Sequence, residues 1–267
     1  MKIVVQMLIR NEADIIFETL REITRWGLRE IVILDGESTD GTLAEIQRFA
    51  TLHPDVNFEV VSEGDPNGKF HDHIRNRLLE LTLPHQPDWI ISLDADEIYH
   101  TNPIAAIEAA DRAVCNVVRN CIPEFWITRQ DLADGKTEKD PNESIQDLRR
   151  WYSWGHMGTF IWKPLEGHYY PQETPKRTPE LPGREWREWQ RQGPIIPICK
   201  HYCFRSVSQA ERRAQERRER GGRRYFGKYF LDYVIDEKAA GLHYLGADGV
   251  FNEERTHDRV HASMKGS

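Results

Sequence analysis

The chain drives an apolar run, "DWIISLDADEIY" at residues 88–99, into three carboxylates, Asp94, Asp96 and Glu97. On an extended segment Asp94 and Asp96, two positions apart, point to one side, where two bare carboxylates repel each other or take up a proton. A divalent cation resolves that conflict. Mg²⁺ or Mn²⁺ is held in this way, by one or two carboxylates with phosphate and water completing the shell, beside a diphosphate. The plainer reading, a solvated acidic turn, covers most bare Asp-x-Asp pairs; what sets this one apart is the apolar strand that delivers it. A second polar cluster has the same placement. In "ILDGESTDGT", Asp35 ends an apolar run and Ser38, Thr39, Asp40 and Gly41 form a turn that caps the next helix, leaving Asp35 open to hydrogen-bond a base or ribose.

The elements that position these residues are legible in the first hundred positions. "KIVVQMLI", "EIVILDG", "NFEVVSE" and "DWIISLDAD" read as short buried strands, and between them "ADIIFETLREITRWG", "TLAEIQRFATL" and "HDHIRNRLLELTL" read as helices, the first with Ile15, Ile16, Leu20 and Ile23 on one face and Gly27 as its stop. Strands alternating with helices predict βαβ crossovers, an α/β fold and a mostly parallel sheet flanked by helices. Ligands of such sheets collect beyond the carboxyl ends of the strands. Arg10, Asn11 and Glu12, the Asp35 turn and the Asp94–Glu97 cluster all fall there.

Three stretches in order, "VVQMLIRNEADII", "IVILDGESTDGT" and "DWIISLDADEIY", resemble the nucleotide-binding half of GT-A fold (Rossmann-like) glycosyltransferases of the family 2 type, in particular the lipopolysaccharide-core-like branch. The resemblance spans about residues 1–100. It implies a nucleotide-sugar donor held by Arg10, Glu12, Asp35 at the base, Arg75 of the Arg75-Asn76 pair at the donor end, and Asp94 at the ribose. It implies further that Asp96 carries the Mn²⁺ or Mg²⁺ bridging the diphosphate and that transfer inverts the anomeric carbon. Downstream, "QDLRRWY", "GHYYPQETP" and "KHYCFRSVSQAERRAQ" fall in the order of the family's later motifs. His201 matches a late histidine that can complete the metal site. The family's His-Glu pair is broken here, with "YYPQ" between His168 and Glu173, so Glu173 enters as candidate base for the acceptor hydroxyl by order alone, with Glu185, Glu188 and Asp147 as competitors.

The remainder is less ordered. "PIAAIEAADRAV" reads as helix and "CNVVRNCIPEFWIT" as extended, while residues 129–195 are rich in Pro, Trp and charge without sustained period. "IIPICKHYCF" returns to strand character and "SVSQAERRAQERRER" is helical up to Gly221 and Gly222. Residues 205–224 hold eight arginines against three glutamates in a chain of net charge −7, which reads either as a solvated helix laced with i, i+4 pairs or as a face for an anionic acceptor, a phosphorylated glycan, lipid head group or nucleic acid. The expected organisation is a donor half over 1–103, an acceptor half of the same domain over 104–204, and a C-terminal elaboration, the basic helix and tail, over 205–267.

Composition narrows the classes. At 267 residues and 39% hydrophobic the chain can bury a full core, and with neither a membrane-length apolar run nor a cleavable leader pattern in this sequence the expected location is the cytoplasm. Cys115, Cys121, Cys199 and Cys203 lack zinc spacing. The expected activity is metal-dependent transfer of a sugar from a nucleotide-sugar to a hydroxyl of a glycan, a lipid-linked or another acceptor, modified nucleic acid included. A nucleotidyltransferase would need a Gly-rich basic loop where "IRNEADII" stands, and a non-catalytic carbohydrate- or nucleic-acid-binding scaffold would not need Asp94 and Asp96.

Overall fold

The structure, a computed structural model, describes residues 1–64, 73–140, 143–170, 179–183, 186–219, 234–235, 238 and 240–251. Strand β1 (Ile3–Ile9) is buried along almost its whole length and is flanked by β2 (Glu30–Asp35) and β4 (Trp89–Ser92), both parallel to it. β3 (Asn57–Ser62) pairs parallel to β2 and is the most exposed of the four. The connecting helices are α1 (Ile16–Arg25), α2 (Thr42–Leu52) and α3 (His73–Thr82). Because alternate residues of a strand face opposite sides, Val4, Leu8, Val32 and Leu34 meet Ile74, Leu78 and Leu81 of α3, while the other face of the sheet is left for α1 and α2. Helices on both faces are why these strands are apolar without alternation. α1 stops at Gly27, whose φ of 84° and N–H bond to Thr24 O close the last turn.

Later elements extend the sheet. They are β5 (Glu97–Tyr99), α4 (Pro103–Arg112), β6 (Val117–Thr128), α5 (Arg129–Ala133), α6 (Ile145–Leu148), β7 (Trp151–Trp162), α7 (Trp186–Trp189), β8 (Cys199–His201) and α8 (Val207–Glu219), followed by the two-residue strands β9 (Val234–Ile235) and β10 (His243–Tyr244). The strand order is β3-β2-β1-β4-β7-β6-β8-β5, with β7 antiparallel to β4 and β8 antiparallel to β5. This is an α/β GT-A-like sheet, parallel in its N-terminal part. Among the described residues no helix is long and apolar enough to cross a membrane, and the four cysteines are free thiols.

Packing groups the chain into two compact units, residues 1–123 with 155–201, and residues 124–154 with 202–267. The first contains the parallel strands and every described candidate donor and metal residue. The second has its own aromatic core, in which Phe125 stacks on Tyr202 at 4.7 Å and Tyr152 packs edge-on to Phe251 at 4.9 Å. It also buries two arginines completely, Arg149 and Arg205. Arg149 donates from Nε to the carbonyl of Arg205 (3.0 Å) and from Nη1 to that of Lys136 (2.8 Å). Burial pulls the Arg149 guanidinium below its usual range, against the pull of Asp131, Glu143 and Glu138.

Two expectations are corrected here. The Asp94–Asp96 segment is not extended: β4 ends at Ser92, Leu93 N–H bonds Gln6 O as the last rung on β1, and residues 94–96 turn, closed by the Glu97 N–H bond to Asp94 O at 3.1 Å. And Arg205 does not belong to a solvated basic face, since it is wholly buried. Arg213, half-buried on α8, donates to the carbonyl of Cys203 at 3.1 Å. The end of the basic stretch, with Gly221 and Gly222, lies outside the described residues, as do the side chains of Arg217 and Arg218.

Candidate functional site

The ends of β1 and β2 are stitched together by short polar side chains. Asn11, at φ 55°, donates its N–H to Ser38 Oγ (2.8 Å) and accepts the Thr39 N–H on Oδ1 (2.8 Å). The Glu12 N–H bonds Thr42 Oγ1 at 2.8 Å, and the Ala13 N–H reaches the Asp40 carboxylate at 3.2 Å. Asp40 also accepts the Thr42 N–H, so it serves the start of α2 in place of Gly41, which has no side chain to cap with. Asp35 is fully buried, and its carboxylate accepts from Ser38 N–H (3.0 Å), Ser38 Oγ and Ser62 Oγ (2.7 Å). The sequence leaves Asp35 open to a ligand; in the structure its oxygens organise the turn. Glu12 is buried, its carbonyl taking the first N–H groups of α1, and Arg10 is half-buried at the end of β1.

The three carboxylates of the acidic turn stand in different surroundings. Glu97, almost wholly buried, accepts the Asp94 N–H on Oε2 at 3.0 Å and so holds the turn. The Ala95 carbonyl accepts from Thr19 Oγ1 of α1, which ties that helix to the turn. Asp96 is 2% exposed, with Oδ1 3.6 Å from His201 Nε2, while Asp94 is half-buried. His201 arrives because β8 runs antiparallel to β5 with Glu97 opposite His201. The structure thus brings Asp96 and His201 together, with Asp94 in the same turn.

A buried polar network escapes sequence reading. Gln6, in the middle of β1, donates from Nε2 to Ser92 Oγ (2.6 Å) and to the Tyr170 hydroxyl (3.0 Å). Asn76 of α3 holds the backbone of Tyr170 from both sides, Nδ2 to its carbonyl at 2.8 Å and Oδ1 from its N–H at 2.7 Å. Burial pushes the Tyr170 phenol up, opposed by Ser92, by the charge of Arg75 and by Gln6. Arg75 is half-buried, and its Nε is buried with no hydrogen-bond partner among the described residues. The available signal was a single polar residue interrupting an apolar strand, twice, at Gln6 and Ser92.

His168 is nearly buried between Trp162 (5.2 Å) and Trp189 (4.9 Å), and its Nδ1 accepts the Leu165 N–H at 3.1 Å. Burial holds His168 down at about 4; His100 is likewise at about 4, through burial and then the Lys200 charge. Both are neutral in the fold, while the unfolded chain takes up their protons near 6.5. The stability they contribute is therefore full above about pH 6.5 and is lost as pH falls toward about 4. Melting temperature should drop across that window, and the drop should be shallower in His168→Phe; an unchanged pH profile in that variant would remove His168 from the account. Of the candidate bases, Glu173 and Glu185 lie outside the described residues, Glu188 is exposed, and Asp147 pairs with Arg150 at 2.7 Å.

The sequence profile described as glycosyl transferase family 2 matches residues 5–168, which includes the Asp35 turn, the acidic turn and His168. The chain belongs to glycosyl transferase family 2. Among solved structures it is similar to the mannosyltransferase PcManGT from Pyrobaculum calidifontis in complex with GDP-Man and Mn²⁺, at 20% identity and a TM-score of 0.49, over 86% of this chain and 66% of that one. It is also similar to mannosyl-3-phosphoglycerate synthase from Rubrobacter xylanophilus, at 19% identity and a TM-score of 0.35, over 45% of this chain and 40% of that one. This family 2 chain spans less than two thirds of the length of either. No curated protein matches it.

Proposed function

We propose that this family 2 chain is a glycosyltransferase that moves a sugar from a nucleotide-sugar to a hydroxyl of a glycan, lipid-linked or other acceptor, with inversion, in the cytoplasm, and that it belongs to the lipopolysaccharide-core-like branch. The observation that carries the reading is the placement of Asp96 and His201, an almost buried carboxylate 3.6 Å from an imidazole nitrogen, beside Asp94 at the carboxyl end of the parallel strands. Among the described residues no group of three or more side chains could hold an ion, and the donor set fits a cation that draws its other ligands from diphosphate and water. A bound Mn²⁺ or Mg²⁺ would be held by Asp96 and His201 and would offset the charge growing on the leaving diphosphate.

The chain's own groups do the rest. Asp94 takes the ribose, Arg75 and Arg10 face the donor's anionic part, and Glu12 and Asp35 shape the loop at the base. Glu173 receives the acceptor hydroxyl's proton. Residues 1–103 then form the donor half, 104–204 the acceptor half and 205–267 the basic elaboration. The test is thermal stability with UDP, GDP, CDP and dTDP, each with Mn²⁺ or EDTA. A nucleotide at ~100 times its dissociation constant should add about 2.7 kcal/mol. Stabilisation by one nucleotide that disappears in EDTA is the expected result; no stabilisation under any condition sinks the reading.

A further inference from the structure

Four non-glycine residues among those described have positive φ: Asn11, Glu37, Gln86 and Val114. Three have local reasons. Asn tolerates this conformation, and Asn11 makes two hydrogen bonds there. Gln86 ends the single helical turn Leu83–His85 with its N–H on Leu83 O, and Val114 ends α4 with its N–H on Asp111 O. Glu37, at φ 57°, is neither an asparagine nor a helix end. It is exposed just past the end of β2 and makes no hydrogen bond or ion pair with a described residue. Glu37 stands inside the turn that Ser38 closes on Asp35, a place where glycine would take positive φ at less cost, so a glutamate at this strand end points to a task for its side chain.

A second position serves the same side chain. A Cβ at Gly64, just past β3, would collide with Cδ and both carboxylate oxygens of Glu37. The Glu37 carboxylate therefore lies against bare backbone at the carboxyl ends of β2 and β3, in a position that a side chain at residue 64 would make it leave. Beneath it Asp35 is buried and its oxygens are engaged by Ser38 and Ser62. Of these two carboxylates, Glu37 is the one on the surface.

We infer that Glu37 is the specificity-determining residue for the donor's base, and that the base is guanine. The inference rests on the reading of this strand end as a nucleotide-sugar site. A carboxylate only accepts hydrogen bonds, through two oxygens side by side. Guanine presents two adjacent donors, N1–H and the 2-amino group. Uracil and thymine offer one N–H flanked by carbonyl oxygens that the carboxylate repels. Cytosine and adenine offer an amino group beside a ring nitrogen that is itself an acceptor.

The test is calorimetric binding of GDP, UDP, CDP, dTDP and ADP, each with Mn²⁺, to the full chain, to Glu37→Gln and to Glu37→Gly. GDP should bind at least ~10-fold tighter than the others, and Glu37→Gln should weaken GDP by ~10-fold or more while changing the others by less than ~3-fold. Glu37→Gly should lose the same preference while melting at a higher temperature, because glycine accepts positive φ without strain; that separates loss of recognition from loss of folding. If another base binds tightest, or Glu37→Gln keeps the guanine preference, the assignment of Glu37 is overturned and the donor-site reading stands. If no nucleotide binds, the donor-site reading fails and takes this inference with it.

Discussion

Asp96→Ala is expected to lower sugar transfer by about a thousandfold, the scale on which a preorganised charge at the reacting centre is felt. Asp96 is 2% exposed and stands 3.6 Å from His201 Nε2, so alanine removes one of the two proposed protein ligands. The fold should not suffer in proportion. Asp94 and Glu97 crowd the same turn, and taking one carboxylate from three relieves repulsion when no cation is bound. The turn itself is closed by Glu97 and by the Thr19 contact to Ala95, and neither involves the Asp96 side chain. The measurement is initial rate and melting temperature for the wild type, Asp96→Ala and Asp96→Asn at matched Mn²⁺. A rate within tenfold of wild type in Asp96→Ala, with its metal dependence unchanged, would remove Asp96 from the metal site.

The largest loss of stability is expected at Arg149. Arg149→Ala should cost about 3 kcal/mol, because two charge-assisted hydrogen bonds are lost and two carbonyls are left buried. The guanidinium spans from Lys136 O to Arg205 O, joining two separate stretches of chain inside the second unit. Arg149→Lys should recover little of this, since a point ammonium cannot reproduce the fork. The readout is the urea midpoint, with the slope checked for two-state behaviour. A Lys variant as stable as wild type would show that charge alone suffices there.

How far the sequence reaches is clearest by comparing strands. β1, β2 and β4 announce themselves because both of their faces are covered, which makes them apolar throughout. β7 does not. "WYSWGHMGTFIW" is half-exposed over most of its length and carries Gly158 at a point where a Cβ would collide with Phe160. Neither periodicity nor propensity marks such a strand. The acidic turn was read at the right place with the wrong backbone, because the apolar run preceding it carries no sign that pairing with β1 ends at Ser92. The order of motifs brought His201 to notice, yet its place beside Asp96 depends on an antiparallel pairing of β5 with β8 that local sequence does not encode. The Asn76–Tyr170 clamp, 94 residues apart, has no local signature at all.

That long reach bears on how the molecule comes into being. The unit with the parallel strands is discontinuous, residues 1–123 and 155–201, and its second piece follows thirty-odd residues that pack elsewhere. As the chain leaves the ribosome, β1 to β4 and their helices can condense early, yet β5 must wait for β8 and Asn76 must wait for Tyr170. Such delayed closures slow folding and leave a sheet edge uncovered in the meantime. Asp96 meets His201 only after about two hundred residues have been made, so the proposed metal pair is among the last features of this unit to exist, and a nascent chain halted before β8 would have the proposed donor half without it.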